Sequence, residues 1–176
     1  VETISISATG GAATVNLGNV SGETALRSTG SDQNVTFTNT DNIATLELQY
    51  NSAGDATVTY NATTVVGTAD SMSVALTDTT NGTVTLAGIE TVNISNSGTS
   101  TVSTLTTTSA TTVNVSGSGT LTLTDIDDAT TTIDASAFTG TSTMGGFGAS
   151  VAATITGGSG NDTINMVGLA STDTID

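Results

Sequence analysis

A run of glycine and aspartate near the end of the chain is the clearest candidate for chemistry in this sequence. Residues 157–165 read Gly-Gly-Ser-Gly-Asn-Asp-Thr-Ile-Asn and stand between two short β-like runs. Glycine permits φ > 0 and lets main-chain carbonyl oxygens converge, while Asp162 adds an anionic oxygen and Ile164 anchors the following strand. Calcium prefers such mixed carbonyl and carboxylate oxygens, whereas zinc and copper do not. The ligand positions of this predicted calcium-binding turn are Gly157, Gly158, Ser159, Gly160 and Asp162.

The same nine residues match a known repeat pattern at every constrained position. The pattern is G-G-x-G-x-D-x-U-x, where U is a large apolar residue, and it is typical of calcium-binding β-helices. Gly168, Asp173 and Ile175 match positions one, six and eight of a degenerate second copy, so Asp173 is a further candidate ligand. The alternative interpretation is a tight corner in which Asp162 accepts hydrogen bonds from nearby main-chain N–H groups.

Four other acids near predicted turns are candidates for additional calcium ligands. They are Asp125, Asp127, Asp128 and Asp134. Their spacing lacks the glycine and the final glutamate of an EF-hand loop. A solvated acidic turn is therefore the favoured interpretation of this group.

Catalysis is not predicted for this chain. The sequence has no His and no Cys, and its single cationic side chain is Arg27. It therefore lacks the usual general bases near neutral pH and has no activated thiol or lysine amine. The carboxylates of residues 125–128 could form a pair of the kind used in glycoside hydrolysis. With only three Phe and two Tyr for sugar stacking, we expect no enzyme activity.

The composition restricts the partners of the chain. A net charge of -15 over 176 residues disfavours nucleic acids and anionic membrane surfaces and favours cations. No apolar run approaches the roughly 18 residues of a membrane span, so we expect no membrane insertion. The chain begins without Met on a strand-like run, and we expect it to be a piece of a longer protein.

Alternating apolar and polar residues predict an all-β chain. Thr-apolar-polar-apolar units have the period of half-buried strands, and Thr, Val and Ile favour strands through their stiff χ1 angles. Clear examples of this unit begin at Thr14, Thr45, Thr83, Thr91, Thr112 and Thr120.

Internal repetition refines the fold prediction to a β-solenoid. Aligned units place Val92, Val113, Ile133 and Ile155 in register, at steps of about 20 residues, a period typical of stacked repeats. We therefore predict a parallel β-helix or β-roll with calcium-binding Gly/Asp turns for residues 79–176. Residues 1–78 repeat less regularly and are interpreted as irregular solenoid or as a β-sandwich-like region.

The sequence resembles one protein family in three features. These are the nonapeptide at 157–165, the recurring units around IETVNIS and TTTIDAS, and the Thr/Gly/Asn-rich composition without Cys. This family is the RTX-type surface-layer proteins of Gram-negative bacteria, such as those of Caulobacter and Campylobacter. The resemblance implies type I secretion, calcium-triggered folding outside the cell, and self-assembly into a lattice on the cell surface. It also implies anchoring on cell-surface polysaccharide or lipopolysaccharide through regions outside this chain, and an ion shared between motifs on successive rungs.

Two other classes remain open at the level of sequence. A type I-secreted adhesin would use similar calcium-rigidified repeats as a stalk and carry its binding module elsewhere. A secreted RTX hydrolase would carry the same repeats as a calcium-roll domain beside a catalytic domain. The irregular repeats and the scarcity of complete nonapeptides favour the surface layer over both.

Overall fold

A computed structural model describes residues 2–127, 129–148, 152–167 and 173–176 of the chain. Within these residues the chain forms seventeen β-strands and no helix, which confirms the predicted all-β class. The odd-numbered strands form one nine-stranded sheet, the odd sheet. Its strands are β1 Thr3–Ile6, β3 Ala25–Thr29, β5 Thr45–Gln49, β7 Ser71–Thr77, β9 Thr91–Ser97, β11 Thr112–Gly117, β13 Thr132–Phe138, β15 Thr154–Thr156 and β17 Thr174–Ile175.

The even-numbered strands form a second sheet of eight strands, the even sheet. Its strands are β2 Ala13–Asn16, β4 Val35–Thr40, β6 Ala56–Tyr60, β8 Thr80–Leu86, β10 Thr99–Thr106, β12 Thr120–Ile126, β14 Thr141–Gly148 and β16 Thr163–Val167. Neighbouring strands are parallel in both sheets, as in the pairs β1–β3 and β2–β4. Consecutive strands lie in alternate sheets, so two strands and two corners make one rung. The predicted β-solenoid is therefore confirmed, with about eight rungs in the described residues.

Apolar side chains from both sheets fill the interior between them. Leu26 pairs with Leu46 and Leu46 with Val74, and all three are at most 2% exposed. In β12, Leu121 and Leu123 are fully buried. Successive strand residues point to opposite faces, so each rung contributes a few apolar residues to a core that only stacking can close.

The alignment of repeats from the sequence is confirmed residue by residue. Val92 pairs with Val113, Val113 with Ile133, and Ile133 with Ile155 in the odd sheet. The common step of about 20 residues therefore corresponds to one turn of the solenoid.

The strands before Asp78 belong to the same two sheets as the later strands. Their steps are less regular, because the connection between β6 and β7 spans residues 61–70 and lengthens one rung. Thr79, for example, bonds to Asn51 across 28 residues, whereas Asn51 bonds to Ser31 across 20. The uneven rung length explains why the repeat is hard to see in this part of the sequence.

Candidate functional site

The predicted calcium-binding segment forms the corner that leads from β15 of the odd sheet to β16 of the even sheet. We call residues 157–162 the Asp162 corner. The N–H of Gly157 donates to the carbonyl oxygen of Asp176 at 2.7 Å, and the N–H of Ser159 donates to the carbonyl oxygen of Phe138 at 3.0 Å. Main-chain hydrogen bonds thus connect the corner to the preceding rung and to the following one.

Glycine in the Asp162 corner is required by close stacking of the main chain. A Cβ atom on Gly160 would lie 1.8 Å from the carbonyl oxygen of Gly140, and one on Gly158 would lie 2.3 Å from that of Phe138. Gly140 in turn stacks on Gly119, since a Cβ atom on Gly140 would lie 2.0 Å from the carbonyl oxygen of Gly119. None of the corner's three glycines has a positive φ, so close approach of the main chain, and not a left-handed conformation, requires glycine here.

The carboxylate of Asp162 accepts three hydrogen bonds from the protein. Its Oδ1 accepts the N–H of Ser142 at 3.0 Å and the Ser142 hydroxyl at 2.7 Å. Its Oδ2 accepts the N–H of Gly158 at 2.8 Å. The side chain thus closes its own corner and satisfies polar groups of Ser142 on the preceding rung, as in the hydrogen-bonded corner that was the alternative interpretation.

Asp162 continues a column of polar side chains that runs through the odd-to-even corners. Ser31 Oγ accepts the N–H of Ala8 at 2.9 Å, Asn51 Oδ1 accepts that of Ser31 at 2.9 Å, and Thr79 Oγ1 accepts that of Asn51 at 3.3 Å. Each side chain therefore satisfies a main-chain donor of the rung before it, which would otherwise be buried without a partner. We call this column the inner polar ladder; its members are Ser31, Asn51, Thr79, Ser100, Ser142 and Asp162.

The inner polar ladder was missed in the sequence. Ser31, Asn51, Thr79, Ser100 and Ser142 are at most 3% exposed, although polar residues are usually taken for surface positions. The ladder residues differ in type and follow one another at unequal steps, and Leu121 interrupts the column between Ser100 and Ser142. The usable signal is a small polar residue shortly before, or at the second position of, the even strands β4, β6, β8, β10 and β14.

The Asp162 corner leaves limited room for a calcium ion. A carboxylate offers about four lone-pair positions, and protein donors take two on Oδ1 and one on Oδ2. The matching corner on the preceding rung, residues 139–142, contains no acid. Across the described part of the chain, no three His, Cys, Asp or Glu side chains come together as metal ligands. An ion here would depend on the last position of Oδ2 and on main-chain and hydroxyl oxygens.

Asp173 lies at the opposite corner of its rung. It directly precedes β17, and its Oδ1 accepts the N–H of Ala153 at 2.8 Å. Ala153 comes before β15, whereas Gly157 follows that strand, so the length of β15 separates Asp173 from the Asp162 corner. The candidate ligands therefore lie in two corners, and Gly168 lies outside the described residues.

The other acidic candidates also accept hydrogen bonds at turns. Asp127 accepts the N–H groups of Thr107 at 3.1 Å and of Ala129 at 3.0 Å. Hydrogen bonds from the hydroxyl and the N–H of Ser136 hold the pKa of the Asp134 carboxyl below its usual value. Asp125 and Asp127 line an open cleft of about 300 Å³. Asp128 lies outside the described residues.

Comparison with protein-family models, curated proteins and solved structures finds no match to this chain. The resemblance to RTX-type surface-layer proteins therefore stays a hypothesis that depends on the sequence motifs. No helix in the described ranges is long and apolar enough to cross a membrane.

Proposed function

We propose that this chain is part of a structural surface-layer protein that assembles into a calcium-dependent lattice on the outside of a bacterial cell. The observation that carries the proposal is the separation of charge from the flat faces of the solenoid. Among the described acids, only Glu47, Asp125 and Asp134 lie within strands, and the others lie at corners or beside the ends of strands. Glu47 is moreover paired with Arg27.

Columns of threonine occupy the outer faces of both sheets instead. In the odd sheet one column consists of Thr91, Thr112, Thr132, Thr154 and Thr174. In the even sheet another consists of Thr80, Thr101, Thr122, Thr143 and Thr163. These side chains are partly or fully exposed and carry no charge. Apart from Asp125 and Asp134, the described strands therefore bring no unpaired acids together when two copies approach face to face.

The corners supply the calcium dependence in this proposal. A net charge of -15 makes copies repel each other within the Debye length of about 8 Å at physiological salt. Calcium at acidic corners, the Asp162 corner among them, neutralises this charge and fixes the turns. Extracellular calcium sites have dissociation constants of about 10⁻⁴ to 10⁻³ M, so the same chain stays unassembled in the calcium-poor cytosol before type I secretion. Anchoring on lipopolysaccharide belongs to parts of the protein outside this chain.

A stalk of a secreted adhesin is the second candidate function. It is favoured by one observation, which is that hydrogen bonds between parallel strands connect every rung to the next along one axis. Such a rod resists extension because a pulling force along the axis must break many main-chain hydrogen bonds together. The lattice is preferred because a stalk needs no uncharged outer faces.

Light scattering and electron microscopy of the full-length protein during calcium addition test the proposal. We expect ordered sheets with calcium, and none in chelator at an ionic strength matched with monovalent salt. A charge placed in a threonine column, Thr122→Glu, should block assembly, whereas Gln33→Glu at an exposed corner should not. Sheets that form equally well in chelator would contradict calcium dependence, and extended single rods in all conditions would favour the stalk.

A further inference from the structure

Glu23 is a buried acid without a hydrogen-bond partner. It lies in the corner between β2 and β3 and is 0% exposed. Neither Oε1 nor Oε2 has a hydrogen-bond partner in the described structure. A carboxylate taken out of water without partners is unfavourable, and buried charges are normally paired or bound to metal. This side chain therefore requires a compensating group.

Asn42 places a third unpartnered oxygen next to Glu23. It lies in the corner between β4 and β5, one rung further, and its Nδ2 donates to the main-chain carbonyl oxygen of Glu23. The reverse orientation of the amide would set two acceptor oxygens against each other, so this bond fixes which atom is Oδ1. That Oδ1 is buried and has no hydrogen-bond partner. We call Glu23 and Asn42 the Glu23 corner.

Acids at comparable corners of other rungs have partners. Glu90 lies between β8 and β9, and its Oε2 accepts the N–H of Asp70 at 2.8 Å. Asp127, between β12 and β13, accepts two N–H groups. The Glu23 corner differs from these corners because three side-chain oxygens lack a donor there.

The chain has no free cationic side chain to neutralise Glu23. Arg27 is the only Lys or Arg in the sequence, and its Nε already contacts Oε2 of Glu47 at 2.6 Å. With no His in the sequence, the compensating charge must come from outside the side chains of this chain. Three hard oxygens, two of them in one carboxylate that can bind bidentately, suit calcium; magnesium is less suited because it needs near-ideal octahedral geometry and keeps its waters.

We propose that the Glu23 corner binds one calcium ion, through both carboxylate oxygens of Glu23 and Oδ1 of Asn42. Main-chain carbonyl oxygens and water complete the shell of six to eight oxygens. The site stacks two successive corners on each other, so the ion ties the first described rungs of the solenoid together. This proposal does not rest on the lattice or on calcium at the Asp162 corner.

Calcium titration by calorimetry, together with thermal unfolding in calcium and in chelator, tests this site in the 176-residue chain. We expect Glu23→Gln to lower the affinity of one site by about tenfold or more and to abolish part of the calcium-induced rise in Tm. Asp32→Asn, which removes one exposed charge, is the matched control and should bind calcium like the parent. An unchanged titration for Glu23→Gln would overturn the proposal.

A second variant keeps the test decisive if Glu23→Gln does not fold. Asn42→Ala removes one ligand and leaves the carboxylate, so we expect weaker calcium binding and a smaller rise in Tm with calcium. A full rise in Tm with sodium alone, at matched ionic strength, would overturn the assignment to calcium. Lattice formation by the full-length protein is measured in a separate experiment. A lattice that forms normally with Glu23→Gln is compatible with the proposed function. If the parent protein binds calcium at the Glu23 corner as expected but forms no lattice, that result would contradict only the proposed function.

Discussion

The Asp162 corner and the Glu23 corner each place an acid at a turn of the same solenoid, but the two carboxylates differ in their hydrogen-bond partners. Asp162 accepts three hydrogen bonds, two of them from Ser142 on the preceding rung. Glu23 accepts none and is more deeply buried. An acid beside a glycine-rich run looks like a metal ligand in the sequence, yet its lone pairs are mostly taken, whereas an inconspicuous glutamate has its oxygens unused.

Hydrogen-bond partners determine whether an acid at a corner stabilises the fold or needs a bound cation. A carboxylate with N–H donors on both oxygens stabilises the folded chain without an ion. A buried carboxylate without donors destabilises the chain until a cation binds, because removing a charge from water is costly. The two corners should therefore respond to mutation with opposite signs when calcium is absent.

The largest effect on stability is expected from a substitution that disturbs the close stacking of the main chain in the Asp162 corner. Gly160→Ala places a Cβ atom 1.8 Å from the carbonyl oxygen of Gly140, so the Asp162 corner must move. We expect the free energy of unfolding to fall by about 3 kcal/mol. Gly11→Ala is the control, since a Cβ atom there meets nothing within 4 Å. Urea denaturation measures both, and equal stabilities would show that the corner relaxes easily.

The fold could be predicted from the sequence where the repeat was regular. Val92, Val113, Ile133 and Ile155 are apolar at nearly equal steps, and stacked strands require that equality. The earlier strands escaped this reasoning because residues 61–70 lengthen one rung without changing the sheets. A connection on the outside of a solenoid can grow without cost to the stacking of strands, so sequence spacing alone does not reveal it.

The next largest effect concerns the hydrogen bonds of Asp162. In chelator, Asp162→Ala leaves the N–H and hydroxyl of Ser142 without their acceptor, and Ser142 is 0% exposed. We expect a loss of about 2–3 kcal/mol in the free energy of unfolding. Asp162→Asn keeps Oδ1 as an acceptor and should lose less. A loss that appears only in calcium would reverse the comparison, since Asp162 would then act as a metal ligand and not as part of the ladder.

The candidate site was less predictable than the fold for a physical reason. The nonapeptide at 157–165 correctly marks a turn, because glycine is needed wherever stacked main chains approach closely. The same letters do not say whether the lone pairs of Asp162 face an ion or the N–H groups of Ser142 and Gly158. Glu23 carries no local signal either, since its neighbour Asn42 comes from the next rung, 19 residues further along the sequence.

The smallest expected effect on stability is that of Glu23→Leu, and its sign should be opposite to that of Asp162→Ala. Glu23→Leu replaces an unpartnered buried carboxylate with an apolar side chain of similar volume, so in chelator we expect a gain of about 1–2 kcal/mol in the free energy of unfolding. In saturating calcium the gain should shrink or reverse, because only the parent chain binds the ion with this side chain. Glu2→Leu, at an exposed position, controls for the loss of one charge and should change stability by less than about 0.5 kcal/mol. Urea denaturation with and without calcium gives the four values required. If Glu23→Leu destabilises the chain in chelator as strongly as Asp162→Ala does, then Glu23 has protein partners in solution, and the two corners are alike.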